Sequence, residues 1–300
     1  MKRIIRVGSR DSKLALVQTN WVINKIKKIH PELEFEITSI KTKGDVLLET
    51  RLDKIGGKGL FIKELELALI SGEIDIAVHS LKDMPAEIPE GLTIAVYSER
   101  EDPRDVLVTS EGKMLKDLPK GAIIGTSSSR REKQLLEIRP DLQCKTLRGN
   151  VLTRINKLVN GEYDALMLAA AGLKRLSLEN WCVQYFNAEE IIPSVGQGIL
   201  AIEARNGDDN QYLLDSIHNQ ESYWAASAER AYMERLNGGC TTPIAAHAVI
   251  EGENMKLYGM LALVDEQKVF RAYLEGLKSD AKSLGLELAE QINKQLTGNK

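Results

Sequence analysis

The chain has 300 residues, 43% hydrophobic and 28% charged, with 40 basic against 43 acidic side chains and a formal net charge of −3. That length exceeds what one hydrophobic core usually serves, so two or three domains are expected. The acidic balance argues against a nucleic-acid partner, because nucleic-acid binders carry a basic excess.

Residues 4–7 read as a strand and 11–29 as a helix, with Leu14, Val17 and Trp21 at helical spacing, Val22, Ile26 and Ile29 beside them, and Pro31 as the stop. A strand at 35–40, a helix at 61–70 closed by Ser71-Gly72, and a strand at 74–78 follow. This alternation predicts βαβ units around a largely parallel sheet. The charged segment Glu99-Arg100-Glu101-Asp102-Pro103-Arg104 breaks it and predicts a hinge. The pattern then restarts with strands at 106–108 and 123–124, a helix at 128–138, a strand at 142–147, a helix at 151–159 and a strand at 165–168. A second break falls at 191–198, ending in Val195-Gly196-Gln197-Gly198.

From Glu221 the texture changes. A long helix ends at Asn237-Gly238-Gly239, where glycine is expected in a left-handed cap. Strands at 244–250, 255–264 and 268–274, separated by Gly252-Glu253-Asn254 and Asp265-Glu266, predict an antiparallel meander, and a helix at about 279–296 closes the chain. The expected division is an α/β domain of 1–98 plus 195–217, a second α/β domain of 103–192, and an α+β domain of 220–300. Met1 to Val7 runs into a strand pattern without the apolar stretch of a signal peptide, and no segment reaches the length of a membrane span, so a reducing cytoplasm is the expected compartment.

Two segments share one plan of strand, glycine, hydroxyl residues, arginine and helix: Val7-Gly8-Ser9-Arg10-Asp11-Ser12, and Ile124-Gly125-Thr126-Ser127-Ser128-Ser129-Arg130-Arg131. Both put a helix N-terminus beside the carboxyl end of a strand, where open α/β sheets bind ligands. Free N–H groups and hydroxyl caps there attract anions, and arginine adds bidentate carboxylate recognition. The combination recurs in Arg148-Gly149-Asn150 with Arg154 six residues beyond Arg148, and in Arg175 after Ala169-Ala170-Ala171-Gly172. Arginines repeated in this way in an acidic protein point to a multiply carboxylated ligand, each charge-assisted bond contributing about 1.5–3 kcal/mol. In His79-Ser80-Leu81-Lys82-Asp83-Met84-Pro85, Asp83 either shapes the turn before the proline or faces those arginines. Arginines nearby would keep its carboxylate ionised, suited to stabilising a developing cation.

Cys144, Cys182 and Cys240 are too scattered for a disulfide framework or a zinc site, and His30, His79, His218 and His247 form no metal-spaced pair, so no metal is expected. Cys144 and Cys182 sit among apolar neighbours and read as core residues, whereas Cys240 stands in a loop, Gly238-Gly239-Cys240-Thr241-Thr242-Pro243, where packing does not explain it. Gly56-Gly57-Lys58-Gly59 lacks the spacing of a phosphate-binding loop.

Several ordered motifs resemble the porphobilinogen deaminase family. They are Val78-His79-Ser80-Leu81-Lys82-Asp83-Met84-Pro85, Gly125 to Arg131, Leu147-Arg148-Gly149-Asn150-Val151 through Arg154, Ala171-Gly172-Leu173-Lys174-Arg175-Leu176, Val195-Gly196-Gln197-Gly198 and Gly238-Gly239-Cys240. Departures are Ser129, Met84 and Thr241-Thr242. The resemblance implies two doubly wound, periplasmic-binding-protein-like α/β domains around a cleft and a smaller α+β domain with a three-stranded antiparallel sheet. It implies a cytoplasmic, monomeric transferase of porphyrin biosynthesis that joins four porphobilinogen molecules into the linear hydroxymethylbilane. The implied cofactor is a dipyrromethane held by a thioether to Cys240, whose terminal pyrrole attacks the azafulvene left when each substrate loses ammonia. Catalysis would fall to Asp83 and Lys82, and binding to Arg10, Ser12, Lys82, Thr126, Ser128, Arg130, Arg131, Arg148, Asn150, Arg154, Arg175 and Gln197, with residues 43–58 covering the cleft. Two other classes share features of the chain. A two-domain anion-binding protein without catalysis needs no Cys240, and a phosphoribosyl-type transferase needs an acidic loop that the sequence lacks.

Overall fold

The structure is a computed structural model, and it describes residues 4–42, 62–238, 242–263 and 268–298. Its described residues fall into two compact units, one built from 4–42, 62–101 and 198–223, the other from 102–197 and 224–298.

The first unit is built on a five-stranded sheet. Its strands are β1 (Ile4–Arg10), β2 (Glu34–Ile40), β3 (Ile76–Ser80), β4 (Leu92–Tyr97) and β10 (Leu200–Arg205), in the order β2-β1-β3-β10-β4. β1 runs parallel to both β2 and β3, whereas β10 is antiparallel to β3 and β4. Helix α1 (Lys13–Ile29) lays Val22, Ile23 and Ile26 on the face carrying Val7, Ile76, Val78 and Ile202. Helix α2 (Lys63–Ile70) lays Leu65 and Leu69 on the other face, beside Ala77 and Ile74. Apolar side chains on both faces are what a sheet covered on both sides requires. The hydrophobic stripe of α1 is turned from the expected one: Trp21 is 36% and Ile29 57% exposed, while Gln18 and Thr19 are buried. Thr19 bonds Ser9 at 2.9 Å and Gln18 bonds Ser80 at 3.1 Å, so these polar residues are satisfied inside, and Lys25 covers the Trp21 ring from solvent.

The second unit repeats the plan. Its sheet has β5 (Asp105–Val108), β6 (Ile123–Gly125), β7 (Gln143–Lys145), β8 (Ala165–Ala169) and β9 (Cys182–Tyr185), in the order β7-β6-β8-β5-β9. Here β5 is the strand antiparallel to both neighbours. Helix α3 (Ser129–Ile138) places Leu135 against Leu107, Ile124 and Met167, and α4 (Val151–Val159) places Ile155 and Leu158 against Val106, Val108 and Leu166. Each of these fully buried leucines contributes about 1.5–3 kcal/mol. The α/β class is therefore as expected, with one antiparallel strand inserted in each otherwise parallel sheet.

The same unit carries the antiparallel meander β11 (Ile244–Glu251), β12 (Asn254–Ala262) and β13 (Val269–Leu277). α5 (Ala170–Arg175) and α6 (Gln211–Ser216) are short, and α7 (Gln220–Arg235) and α8 (Ala281–Gly298) complete the helices among the described residues. α8 packs on the meander, where a Cβ on Gly259 would lie 2.6 Å from Leu288, and on α7, where a Cβ on Gly285 would lie 2.2 Å from the Ala228 carbonyl. The left-handed cap after α7 is Asn237 (φ 51°) and not a glycine. Gly238 N–H then bonds the Met233 carbonyl at 2.9 Å, the six-residue closure of a Schellman motif. Gly238 is needed for space instead, since its Cβ would meet Ile244 at 2.8 Å. Within this unit Ile192 packs on Ala245, Met260 and Ala262, and Arg271 bonds Glu137 at 2.9 Å. No helix among the described residues is long and apolar enough to cross a membrane.

Candidate functional site

In the first unit two predicted elements of the site leave one end of the sheet. β1 ends at Arg10, and Ser12 caps α1, accepting from the Ala15 N–H at 3.2 Å. β3, parallel to β1 and next to it, ends at Ser80 and turns into a 3₁₀ segment, Leu81–Asp83. Arg10 and Ser12 thus share a strand-end edge with Lys82 and Asp83, and all four are partly exposed. Backbone bonds anchor the turn: Leu81 N–H donates to Ile199 at 3.0 Å and Met84 N–H to Leu81 at 3.0 Å. Behind the turn, buried His79 and buried Glu203 on β10 lie 3.0 Å apart.

In the second unit the three parallel strands β7, β6 and β8 deliver the remaining predicted groups to their own common end. β6 runs into Thr126 and Ser128; Thr126 Oγ1 accepts from Ser128 N–H at 3.2 Å, and Ser128 caps α3 by accepting from Arg131 N–H at 3.4 Å. β7 runs into Arg148 and Asn150, and Asn150 caps α4 through Thr153 N–H at 3.0 Å. Gly149 holds φ +108° between them, and Arg154 Nε donates to its carbonyl at 2.7 Å. β8 runs into α5, whose last residue is Arg175. Between Thr126 and Ser128, Ser127 is committed to structure: its hydroxyl and the Leu147 backbone bond each other, joining the β6 and β7 loops.

The repeated plan has one physical cause in both sheets. β1 and β6 hold the same place in the strand order. A Cβ on Gly8 would lie 2.3 Å from Ile74 Cδ1 and one on Gly125 2.7 Å from Leu166 Cδ2, so at both positions glycine leaves room for a side chain at the neighbouring parallel strand.

Arg130, Arg131 and Gln197 converge on one group that sequence reasoning missed. Asp105, at the head of β5, is fully buried. It accepts from Arg130 Nη1 at 2.6 Å, Arg131 Nε at 3.0 Å and Nη2 at 2.8 Å, and Gln197 Nε2 at 3.0 Å. Burial opposes its ionisation, but the two arginine charges outweigh burial and hold its carboxyl well below the usual carboxylate range. The signal available in the sequence was an aspartate abutting an apolar strand, where a solvated turn residue is the default. Glu229 on α7 is a second buried carboxylate in this unit, accepting from the Gly196 N–H at 2.7 Å and the Ala248 N–H at 2.8 Å.

Cys144 and Cys182 are half-buried against core side chains, and burial pushes the Cys144 thiol up to about 12. That makes Cys144 a poor nucleophile. Cys240, the covering segment 43–58 and the glycines at 56, 57 and 59 lie outside the described residues. Among the described residues no group of three or more His, Cys, Asp or Glu side chains is placed to share a metal ion.

Comparison with known proteins gives these strand-end groups a context. The family model described as "Porphobilinogen deaminase, dipyromethane cofactor binding domain" matches residues 5–212, and "Porphobilinogen deaminase, C-terminal domain" matches 223–294. The porphobilinogen deaminase of Brevibacillus brevis is 48% identical over 296 residues, covering 98% of this chain and 95% of that protein. That of Lysinibacillus sphaericus is 49% identical over 298 residues, again covering 98% and 95%. Among solved structures, the periplasmic VFT2 domain of Bordetella pertussis BvgS aligns with a TM-score of 0.43 at 15% identity, over 73% of this chain and 90% of that one. Two family models that together span nearly all of the sequence, and relatives near half identity along its length, place this chain in the porphobilinogen deaminase family.

Proposed function

We propose that this chain is a hydroxymethylbilane synthase: it joins four porphobilinogen molecules head-to-tail, releasing one ammonia per addition, on a dipyrromethane held by a thioether to Cys240. The observation that carries the reading is the convergence, in each sheet, of arginines and capped helix N-termini at the carboxyl ends of parallel strands. Each porphobilinogen brings an acetate and a propionate, so a growing chain is a polycarboxylate, and guanidinium and hydroxyl donors are the groups that bind it. The residues present fit a dipyrromethane for the same reason, since it carries the same side chains. When bound, it supplies the nucleophilic carbon on which the first new carbon–carbon bond forms.

Arg130, Arg131, Arg148, Arg154 and Arg175 hold carboxylates in this proposal, with Thr126, Ser128, Asn150 and Gln197 adding hydrogen bonds; Arg10, Ser12 and Lys82 do the same from the first unit. Asp83 accepts pyrrole N–H bonds and stabilises the positive charge that develops as ammonia leaves. A fixed carboxylate does this well because its position is set before reaction, and the backbone bonds of Leu81 and Met84 are the anchors for that position. Lys82 would deliver a proton to the departing amine. The domains are proposed as 1–98 plus 195–217 for Asp83, 103–192 for the arginines and 220–300 for Cys240. The enzyme is proposed to act as a cytoplasmic monomer in porphyrin biosynthesis, on a small-molecule substrate, without membrane or nucleic-acid partners.

The test is the intact mass of purified wild type beside Cys240→Ser. The expected result is an excess of two pyrrole units on the wild type and none on the variant. A wild-type mass matching the bare sequence, unchanged after porphobilinogen, would replace this reading with an anion-binding protein.

A further inference from the structure

Asp105 is the one buried acid that two of the carboxylate-binding arginines share. Its side chain has no exposed surface, and those of Arg130 and Arg131 are 6% and 9% exposed. Each partner is also held from behind: Arg130 Nη1 by the Ile192 carbonyl at 2.7 Å, Arg131 Nη1 by the Met167 carbonyl at 3.1 Å, and Gln197 Nε2 by the Pro103 carbonyl at 2.6 Å. Among the described residues Asp105 is the only carboxylate in ion-pair contact with either guanidinium. Two guanidinium groups face one carboxylate, so the cluster keeps one positive charge. A buried charge without a counterion is costly, and that cost is relieved when an anion arrives.

We infer that Asp105 is a positioning residue: it orients Arg130, Arg131 and Gln197 and cancels one arginine charge, so that the pair receives a single carboxylate and not two. The inference rests on the proposed function, because the carboxylate is taken to belong to the dipyrromethane or the growing chain. Its chemistry is that of charge bookkeeping plus geometry. Asp105 occupies three donors with one oxygen and a fourth with the other. The rigid guanidinium forks are thereby fixed in direction.

The charge count makes a prediction that a purely structural role does not. Arg131→Gln leaves the cluster neutral. Asp105→Asn with Arg131→Gln restores one net positive charge while removing two native partners. The experiment follows, by intact mass, the rate at which cofactor-free protein gains its pyrrole adduct from porphobilinogen, with KM and kcat measured on the loaded protein and folding checked by circular dichroism. Asp105→Asn and Arg131→Gln are each expected to slow adduct formation at least tenfold and to raise KM more than they lower kcat. The double variant is expected to load at least threefold faster than Arg131→Gln alone. A double variant as slow as or slower than that single variant would overturn the inference, as would wild-type loading by Asp105→Asn. Should Asp105→Asn fail to fold, Arg131→Lys carries the test. It keeps the charge but cannot make the two-bond fork to Asp105, so tenfold slower loading is expected and an unchanged rate overturns the idea. A wild-type chain that never gains an adduct would overturn both this inference and the proposed function; normal wild-type loading with unaffected variants overturns the inference alone.

Discussion

Gly198 follows Gln197 at the second break and opens the path into β10. Its φ is +95°, and a Cβ built there would lie 2.2 Å from the Glu101 carbonyl oxygen and 3.1 Å from Arg100 Cγ. Glu101 N–H also donates to the Gly198 carbonyl at 3.2 Å, so the backbones are already fastened together and cannot slide apart freely. Gly198→Ala therefore meets two penalties. The left-handed backbone costs an L-residue about 1–2 kcal/mol. Relieving the contact asks the backbone to move by roughly 1 Å, an overpacking cost of about 1–3 kcal/mol. The total is about 2–5 kcal/mol. Gly207 supplies the control, because its φ is +83° and nothing lies within 4 Å of its added Cβ. Gly207→Ala should cost only the strain, about 1–2 kcal/mol. Equilibrium urea unfolding of the three proteins reads both numbers, and the excess for Gly198→Ala should come with an unchanged m-value. If the two variants lie within about 0.5 kcal/mol of each other, the crowding argument at Glu101 is wrong.

Two further outcomes are expected. Asp83→Asn should keep the covalent pyrrole adduct, and bound intermediates with it, yet lose at least 99% of turnover (about a hundredfold, the scale of one electrostatic contributor); near-normal product formation would refute the role of Asp83. Asp75→Asn should lower stability at pH 7, because its oxygens accept from Arg6 N at 2.8 Å, Arg6 Nε at 3.1 Å, Arg6 Nη2 at 2.9 Å and Arg205 Nη2 at 3.3 Å. Burial opposes ionisation of Asp75, but the Arg6 bonds and then the Arg205 bond hold its carboxyl below the usual range. A folded-state value below the unfolded one, about 3.9, gives stability that is present above about pH 4 and is lost as pH falls through the folded value. The wild-type advantage, about 1–2 kcal/mol after allowing for the exposure of Arg6, should therefore shrink between pH 5 and pH 3 in urea melts. A gap that stays constant across that range would contradict it.

The parts of the fold that were legible from sequence are those whose signals are local. α4 was expected at 151–159 and spans Val151–Val159, because an Asn cap and a clean apolar period both lie within the segment. The hydroxyl-capped turns after β1 and β6 were legible for the same reason. β10 was not expected: Leu200–Arg205 places Glu203 in the middle of a buried strand, and its partner His79 is brought beside it only by the sheet. Asp105 escaped in the same way, since its arginines are 25 and 26 residues further along. The misjudged face of α1 has a like origin, for Gln18 and Thr19 are buried against Ser80 and Ser9. Polar groups satisfied at long range leave no mark on a local pattern.

The order of strands in the two sheets bears on how the protein is made. β5 follows directly on the first break and sits inside the second sheet, whereas β10 must return after the second break to sit between β3 and β4. A ribosome that has released residues up to 185 has therefore delivered every strand of the second sheet. At that moment the first sheet still has a gap between β3 and β4, two unpaired edges that its own partner strand has yet to reach. The first sheet is begun first yet closes only after the second sheet has all its strands, against the usual N-to-C order of folding. An emerging chain is thus exposed to wrong pairing at β3 and β4 until Arg205 has left the tunnel.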